Sequence, residues 1–340
     1  MKGDVFGTKG DFVTSPEISQ VFGELLALWF VQYYMALKTT PRLSLVELGP
    51  GRGTLMLDVL RTLSQFKFVY DRIEAVHLVE ASPGLRRMQQ ETLTPASGDG
   101  ESRGGFKISW HESLTSVPSD SFTLFVAHEF LDALPVYKFE KTEDGWREIL
   151  VDFDDDPSTA NNFRFVKAPS HTKASISLLS HSETSLDAIG VGSRVELAPD
   201  VADVTKQLAE RIKTSGGAAL IVDYGQNSSA SDSLRGIANH SVVNPLSKPG
   251  ECDLSADVDF SLVASEANGI AFAYGPVTQA TFLHRMGIGA RMIQLLKSNI
   301  SVENRKQLAS SYERLVSKDQ MGDAYKVLAI TDSPQTPYGF

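Results

Sequence analysis

A chain of 340 residues with one cysteine, Cys252, can form no intrachain disulfide, so folding under reducing conditions is expected. Positive charge is also short. Lys and Arg number 32 against 42 Asp and Glu, a formal net charge of −10. That balance argues against a sequence-independent grip on nucleic acid, and is compatible with a cationic ligand or a basic protein segment. Long apolar runs are missing: the longest, residues 21–37, carries Glu24 and Gln32, so no membrane span is expected. No signal or transit peptide is read, since Met1 is followed almost at once by the loop at residues 3–11. The seven histidines lack metal-ligand spacing, and no metal site is expected. A G-x-S-x-G nucleophile elbow and internal repeats are absent too. The length allows about one to two domains with a large core.

Against these absences stands one dense motif, Leu45-Val46-Glu47-Leu48-Gly49-Pro50-Gly51-Arg52-Gly53-Thr54. An apolar strand ends in an acid, three glycines follow at spacings of two, and a helix begins. Bare backbone of this kind lets a nucleotide-like ligand lie close. A dinucleotide fingerprint would read G-x-G-x-x-G, with pyrophosphate over the helix N-terminus. The order here, E-x-G-x-G-x-G, suits a ligand without phosphate and with positive charge. It resembles motif I of the class I S-adenosylmethionine methyltransferases, which marks Glu47, Gly49, Gly51 and Gly53 as cofactor-binding candidates; a turn serving only packing is the alternative. Residues 75–80 read as a second buried strand ending at Glu80, where a carboxylate can accept both ribose hydroxyls. Glu80 lies 27 residues after Gly53, beyond the usual offset of about 20, so a longer first helix is expected. An ordinary solvated strand end is the competing reading of Glu80.

The coarse pattern is strand–helix alternation. A helix is predicted over residues 16–37, with Ser15 as N-cap, Pro16 at its first position and Thr14 with Glu17 as a capping box. Ile18, Val21, Phe22, Leu25, Trp29 and Gln32 place one face in the core. Strands are predicted at 43–48, 75–80, 106–110 and 122–127, with helices at 54–64 and 83–92 between them. Residues 94–105 read as an insert loop. A hairpin, 136–141 with 146–152, comes next, followed by an irregular insertion at 154–192. A strand at 193–197, a helix at 201–214 and a buried strand at 218–223 precede a loop-like stretch, 226–250. Helices at 257–267 and 278–297 and strands at 270–274 and 323–330 complete the reading. Such alternation predicts an α/β fold, a Rossmann-like parallel sheet with helices on both faces plus an inserted hairpin and loop-rich or helical insertions. Four segments are expected: 1–40 N-terminal and helical; 41–150, the cofactor-binding half; 151–217, insertion and helix; and 218–340, the C-terminal half, with a substrate-side insertion at 226–280. Because ligands sit at the carboxyl ends of parallel strands, Glu47, Glu80, Glu112 and Glu129 are expected along one rim.

Residues 10–25, Gly-Asp-Phe-Val-Thr-Ser-Pro-Glu-Ile-Ser-Gln-Val-Phe-Gly-Glu-Leu, resemble the signature of the MidA family of class I methyltransferases. Residues 46–55, 127–136, 222–225, 253–260 and 278–288 match the family pattern in order, so the likeness runs from about residue 8 to 330. His128 before Glu129 resembles the mitochondrial branch of that family. The resemblance implies S-adenosyl-L-methionine as cofactor and a mitochondrial matrix location. It also implies symmetric dimethylation of an arginine on a core subunit of respiratory complex I during assembly. Relative to the family pattern the N-terminus is expected to be shortened, since only nine residues precede Gly10. For arginine chemistry, an always-charged guanidinium needs a carboxylate to orient it. Glu129 is the first catalytic candidate and Asp132 the second, each with helix-start capping as its alternative. Two other readings stay open: an assembly scaffold that keeps the fold without turnover, and a nicotinamide-dependent oxidoreductase, against which the glycine spacing speaks.

Overall fold

The computed structural model describes residues 14–93, 105–155, 162–180, 186, 189–228, 232–238, 241–247, 249–298 and 301–340. The loop expected at 3–11 and nearly all of the one at 94–105 lie outside the described residues, as do parts of 154–192 and 226–250. The chain divides into two compact units, one of Thr14–Phe130, Val204–Asp223 and Ala264–Phe340, the other including Leu131–Asp203 and Tyr224–Val263.

The first unit is built on a sheet of β1 (Leu43–Leu48), β2 (Ile73–Val79), β3 (Lys107–His111), β4 (Phe122–His128), β5 (Gly217–Gln226), β6 (Phe272–Thr278) and β7 (Tyr325–Thr331). Their order is β3-β2-β1-β4-β5-β7-β6. The pairs β1–β2, β1–β4, β2–β3 and β4–β5 are parallel, and β6–β7 is antiparallel. Every residue of β1 is buried, as a strand covered on both faces requires. The alternation therefore yields the expected Rossmann-like sheet, with strand ends shifted by at most four residues.

The predicted helix 16–37 is two helices, α1 (Ser15–Ile18) and α2 (Gln20–Met35). Ser19 breaks them with extended backbone, φ −159° and ψ 128°, and its hydroxyl accepts the Val21 N–H at 3.2 Å. The N-cap is thus Ser19 on α2; Thr14, not Ser15, precedes α1 and makes no side-chain cap bond. Nor is one face alone buried: α2 buries Val21, Phe22, Leu25, Leu26, Ala27, Trp29, Phe30, Val31, Tyr33 and Tyr34, while Gln32 is exposed. The reason is packing on several sides. Phe22 meets His128 of β4 edge-on at 5.0 Å, Tyr33 donates to Gly217 O of β5, and Trp29 Nε1 donates to Tyr338 O. The predicted helix 278–297 also breaks, into Gln279–Arg285 and Ile288–Lys297, at Gly287 with φ +91°. An unforeseen helix, Val302–Val316, follows.

In the second unit, the expected hairpin is Tyr137–Thr142 and Gly145–Phe153. It belongs to a four-stranded antiparallel sheet with Phe163–Lys167 and Arg194–Leu197. The stretch read as irregular therefore holds a strand, and also the helix Lys173–Ser180. Phe139, Leu186 and Val195 form its buried core, backed by Trp146 and Leu178. Buried Lys138 lies 2.6 Å from Asp232 and 3.3 Å from Glu196. Part of the loop-like stretch forms a small sheet of Arg235–Ala238, Ser241–Val243 and Asp253–Ser255.

Gly23 is where α2 crosses α3 (Thr54–Leu63): a Cβ there would lie 2.6 Å from Asp58 Cβ. Gly23→Ala is therefore expected to destabilise by about 1–3 kcal/mol, although alanine is the better helix former. Chemical denaturation checks this, and an unchanged midpoint would refute the close crossing.

Candidate active site

β1 ends at Leu48, and the next five residues leave regular structure. Gly49, Gly51 and Gly53 have φ of +65°, +52° and +83°, backbone that side chains adopt only under strain. Gly49 N–H still donates to Val79 O at 3.0 Å, and Gly53 N–H closes a turn on Pro50 O at 2.7 Å. Gly53 is also the N-cap of α3. A Cβ on Gly49 would come within 2.9 Å of Phe130. The loop thus presents bare backbone between two strand ends, as the glycine spacing required.

The strand-end acids fare differently from one another. Glu47 is 2 % exposed, accepts the Met56 N–H, and leaves Oε2 without a hydrogen-bond partner. Burial pushes its pKa up to about 8, so at neutral pH it is mostly uncharged. It supports the loop from beneath and does not supply the negative charge read from its position. Glu80 is half-buried, with Oε1 accepting the Ser82 N–H at 2.8 Å and Oε2 accepting from Gln89 at 3.3 Å. Glu112 does not join them: its side chain is 82 % exposed, with Arg86 3.9 Å away.

Gln89, which sequence reasoning missed, ties this region together. Fully buried on the helix Pro83–Leu93, it donates to Gly51 O at 2.7 Å and to Glu80, and accepts the Trp110 indole N–H at 2.9 Å. The available signal was a glutamine four residues before Leu93, on the buried side of an amphipathic helix.

Glu129 follows β4 with φ +49°, a left-handed conformation rare outside glycine and costing on the order of 1–3 kcal/mol. Its N–H donates to Val222 O at 3.0 Å, and the next N–H, of Phe130, donates to Asp223 Oδ2 at 3.1 Å. These bonds to β5 hold the turn. The carboxylate accepts the Tyr325 hydroxyl at 2.6 Å, from the first residue of β7. His128 Nε2 lies 3.7 Å from the same oxygen. Burial drives the His128 pKa down to about 3, so the ring is neutral; it stacks on Tyr325 at 6.2 Å and 9°. Tyr325 is fully buried and was not foreseen, because it lies almost 200 residues from its partner. Asp132 belongs to the second unit, where it is buried and accepts from Ser255 Oγ at 2.9 Å, while its carbonyl accepts the Ala256 N–H. Bare backbone, a carboxylate at Glu80 and a second at Glu129 suit a ligand with hydroxyls and positive charge, which pyrophosphate lacks. Among the described residues no cluster of three or more His, Cys, Asp or Glu could hold a metal ion.

Comparison with known proteins agrees. A family model described as S-adenosyl-L-methionine-dependent methyltransferase matches residues 25–277. The human protein arginine methyltransferase NDUFAF7, mitochondrial, is 42% identical over 96% of this chain and 75% of its own. Its Danio rerio counterpart is 41% identical over 98% and 79%, and the Drosophila melanogaster homolog 39% over 97% and 77%. A Burkholderia thailandensis crystal structure bound to S-adenosyl-homocysteine has a TM-score of 0.78 at 25% identity, covering 99% of this chain and 84% of that one.

Two outcomes follow from the loop. Gly51→Val forces a β-branched side chain into left-handed backbone, and loss of S-adenosyl-homocysteine binding with a retained circular dichroism spectrum is expected; unchanged affinity in calorimetry would remove this loop from the site. Glu47 keeps its proton to a higher pH when folded than when unfolded, so its contribution is present near pH 4.5 and lost as pH rises towards about 8. Glu47→Gln should therefore flatten the fall of Tm across that interval relative to wild type; parallel curves would contradict the buried, uncharged acid.

Proposed function

This chain belongs to the S-adenosyl-L-methionine-dependent methyltransferases, and from that premise we propose that it methylates arginine side chains of a mitochondrial protein. Identity of about 40% with the NDUFAF7 enzymes along nearly the whole chain supports the arginine specificity and the mitochondrial setting. The finer reading, from the MidA resemblance, is symmetric dimethylation of a core complex I subunit in the matrix during assembly. The acidic surplus of the chain favours a basic protein segment as substrate over nucleic acid.

One observation carries the catalytic reading: a carboxylate held in strained backbone at the end of β4 and fixed by a buried tyrosine. S-adenosyl-L-methionine supplies an activated methyl group on a positively charged sulfur. The chain's own work is to align and to orient. The glycine loop offers backbone to the cofactor, and Glu80 offers a carboxylate for the ribose hydroxyls. Glu129 accepts guanidinium N–H bonds and draws the positive charge away from the attacking nitrogen. Tyr325 occupies one of the roughly four acceptor sites of that carboxylate and fixes its plane. His128, neutral through burial, brings no competing charge. Asp132, the second candidate, is buried in the second unit with a hydrogen bond from Ser255.

Glu129→Gln keeps the size of the side chain and removes its charge. A fall in kcat and kcat/KM together, on the order of 100-fold, is expected in single-turnover assays on an arginine-bearing mitochondrial protein, with S-adenosyl-homocysteine affinity unchanged. Tyr325→Phe should lose less, and Asp132→Asn less again. Dimethylarginine in co-purified partners, read by mass spectrometry, identifies the target. Wild-type rates in Glu129→Gln would end the proposed role and favour a non-catalytic assembly scaffold.

A further inference from the structure

S-adenosyl-L-methionine carries an α-ammonium besides its sulfonium, and an ammonium in a partly buried site needs an anionic acceptor. The acids read from the strand ends do not supply one. Glu47 is buried and mostly neutral beneath the loop, Glu112 faces solvent, and Glu80 and Glu129 are taken up by the ribose and guanidinium roles proposed above. A fifth carboxylate reaches the glycine loop from outside the sheet. Glu17 lies on α1, and its Oε1 accepts the hydroxyl of Thr54 at 2.8 Å. Thr54 is the residue directly after Gly53 and the first of α3.

The short helix that carries Glu17 is pinned more firmly than four residues require. Ser15 and Pro16 are buried, Ser15 Oγ donates to Gln279 at 3.5 Å, and Ser311 Oγ donates to Ile18 O at 3.1 Å. Two helices distant in sequence thus help fix a carboxylate at the loop–helix junction. A hydrogen bond from Thr54 uses one acceptor site of Glu17 and sets the direction of the rest.

We propose that Glu17 is a cofactor-binding residue that accepts the α-ammonium of S-adenosyl-L-methionine, a role that rests on the cofactor assignment to the glycine loop. Thr54 is its positioning residue. The break at Ser19, which makes α1 a separate helix, is then what lets this carboxylate turn towards the loop while α2 runs into the core.

Glu17→Gln discriminates, because the amide oxygen still accepts from Thr54 and only the charge is lost. Titration calorimetry compares S-adenosyl-L-methionine, S-adenosyl-homocysteine and 5′-methylthioadenosine, which keeps the adenosyl group and lacks the amino-acid tail. The expected result is a loss of about tenfold or more for the first two and none for the third, with an unchanged Tm. Thr54→Val should produce a smaller loss with the same selectivity, and serves if Glu17→Gln folds poorly. Equal weakening of all three ligands, or of none, overturns the proposal. If wild-type protein binds none of them, the cofactor assignment itself falls, and this role with it.

Discussion

One buried carboxamide holds the glycine-loop end of the first unit together. Gln89 joins the Gly51 carbonyl, the Glu80 carboxylate and the Trp110 indole. A loop of left-handed glycines has few contacts of its own, since it lacks side chains. Its shape persists because its carbonyl has a partner that cannot move away without leaving polar atoms unpaired in the core. The same amide steadies the second strand's acid and the wall formed by β3. Three features that look independent in sequence are in fact one network, and disturbing any of them is felt by the others.

The four strand-end glutamates show how much equal sequence positions can differ physically. Each stands at the carboxyl end of a strand of a parallel sheet, yet their charges and duties diverge. Glu47 is sealed under a helix start and loses its charge to desolvation. Glu80 keeps backbone and side-chain donors, and Glu112 stands exposed with Arg86 3.9 Å away. Glu129 occupies a turn whose backbone cost is offset by bonds to β5 and by the Tyr325 hydroxyl. Burial and hydrogen-bond supply, more than position along the strand, decide what each carboxyl group can do.

The central sheet was legible because both its signals are local: apolar runs of strand length and glycines at fixed spacing. The same holds for the hairpin at Glu143 and Asp144, where turn chemistry lies between two alternating segments. What stayed hidden depends on distant partners. Ser19 interrupts a sequence that reads as one continuous helix because its hydroxyl can cap the second segment. The Phe163–Lys167 strand has no alternation strong enough to announce itself and exists through pairing with Gly145–Phe153. Tyr325, Gln89 and Glu17 matter through contacts made across the fold, which no local pattern records. Glu47 is legible as part of the motif, but its charge state is a property of the surrounding core.

The strand order has a consequence for how the molecule comes into being on the ribosome. β6 is the outermost strand, and its sole ladder neighbour in the sheet is β7, which itself lies between β6 and β5. Residues 279–324 must therefore be synthesised before Phe272–Thr278 can find its place. Until then β5, with its run of buried apolar residues, has an open edge on that side. The nascent chain thus carries an unfinished, adhesive sheet edge through the making of several helices, a period in which chaperone protection would matter most.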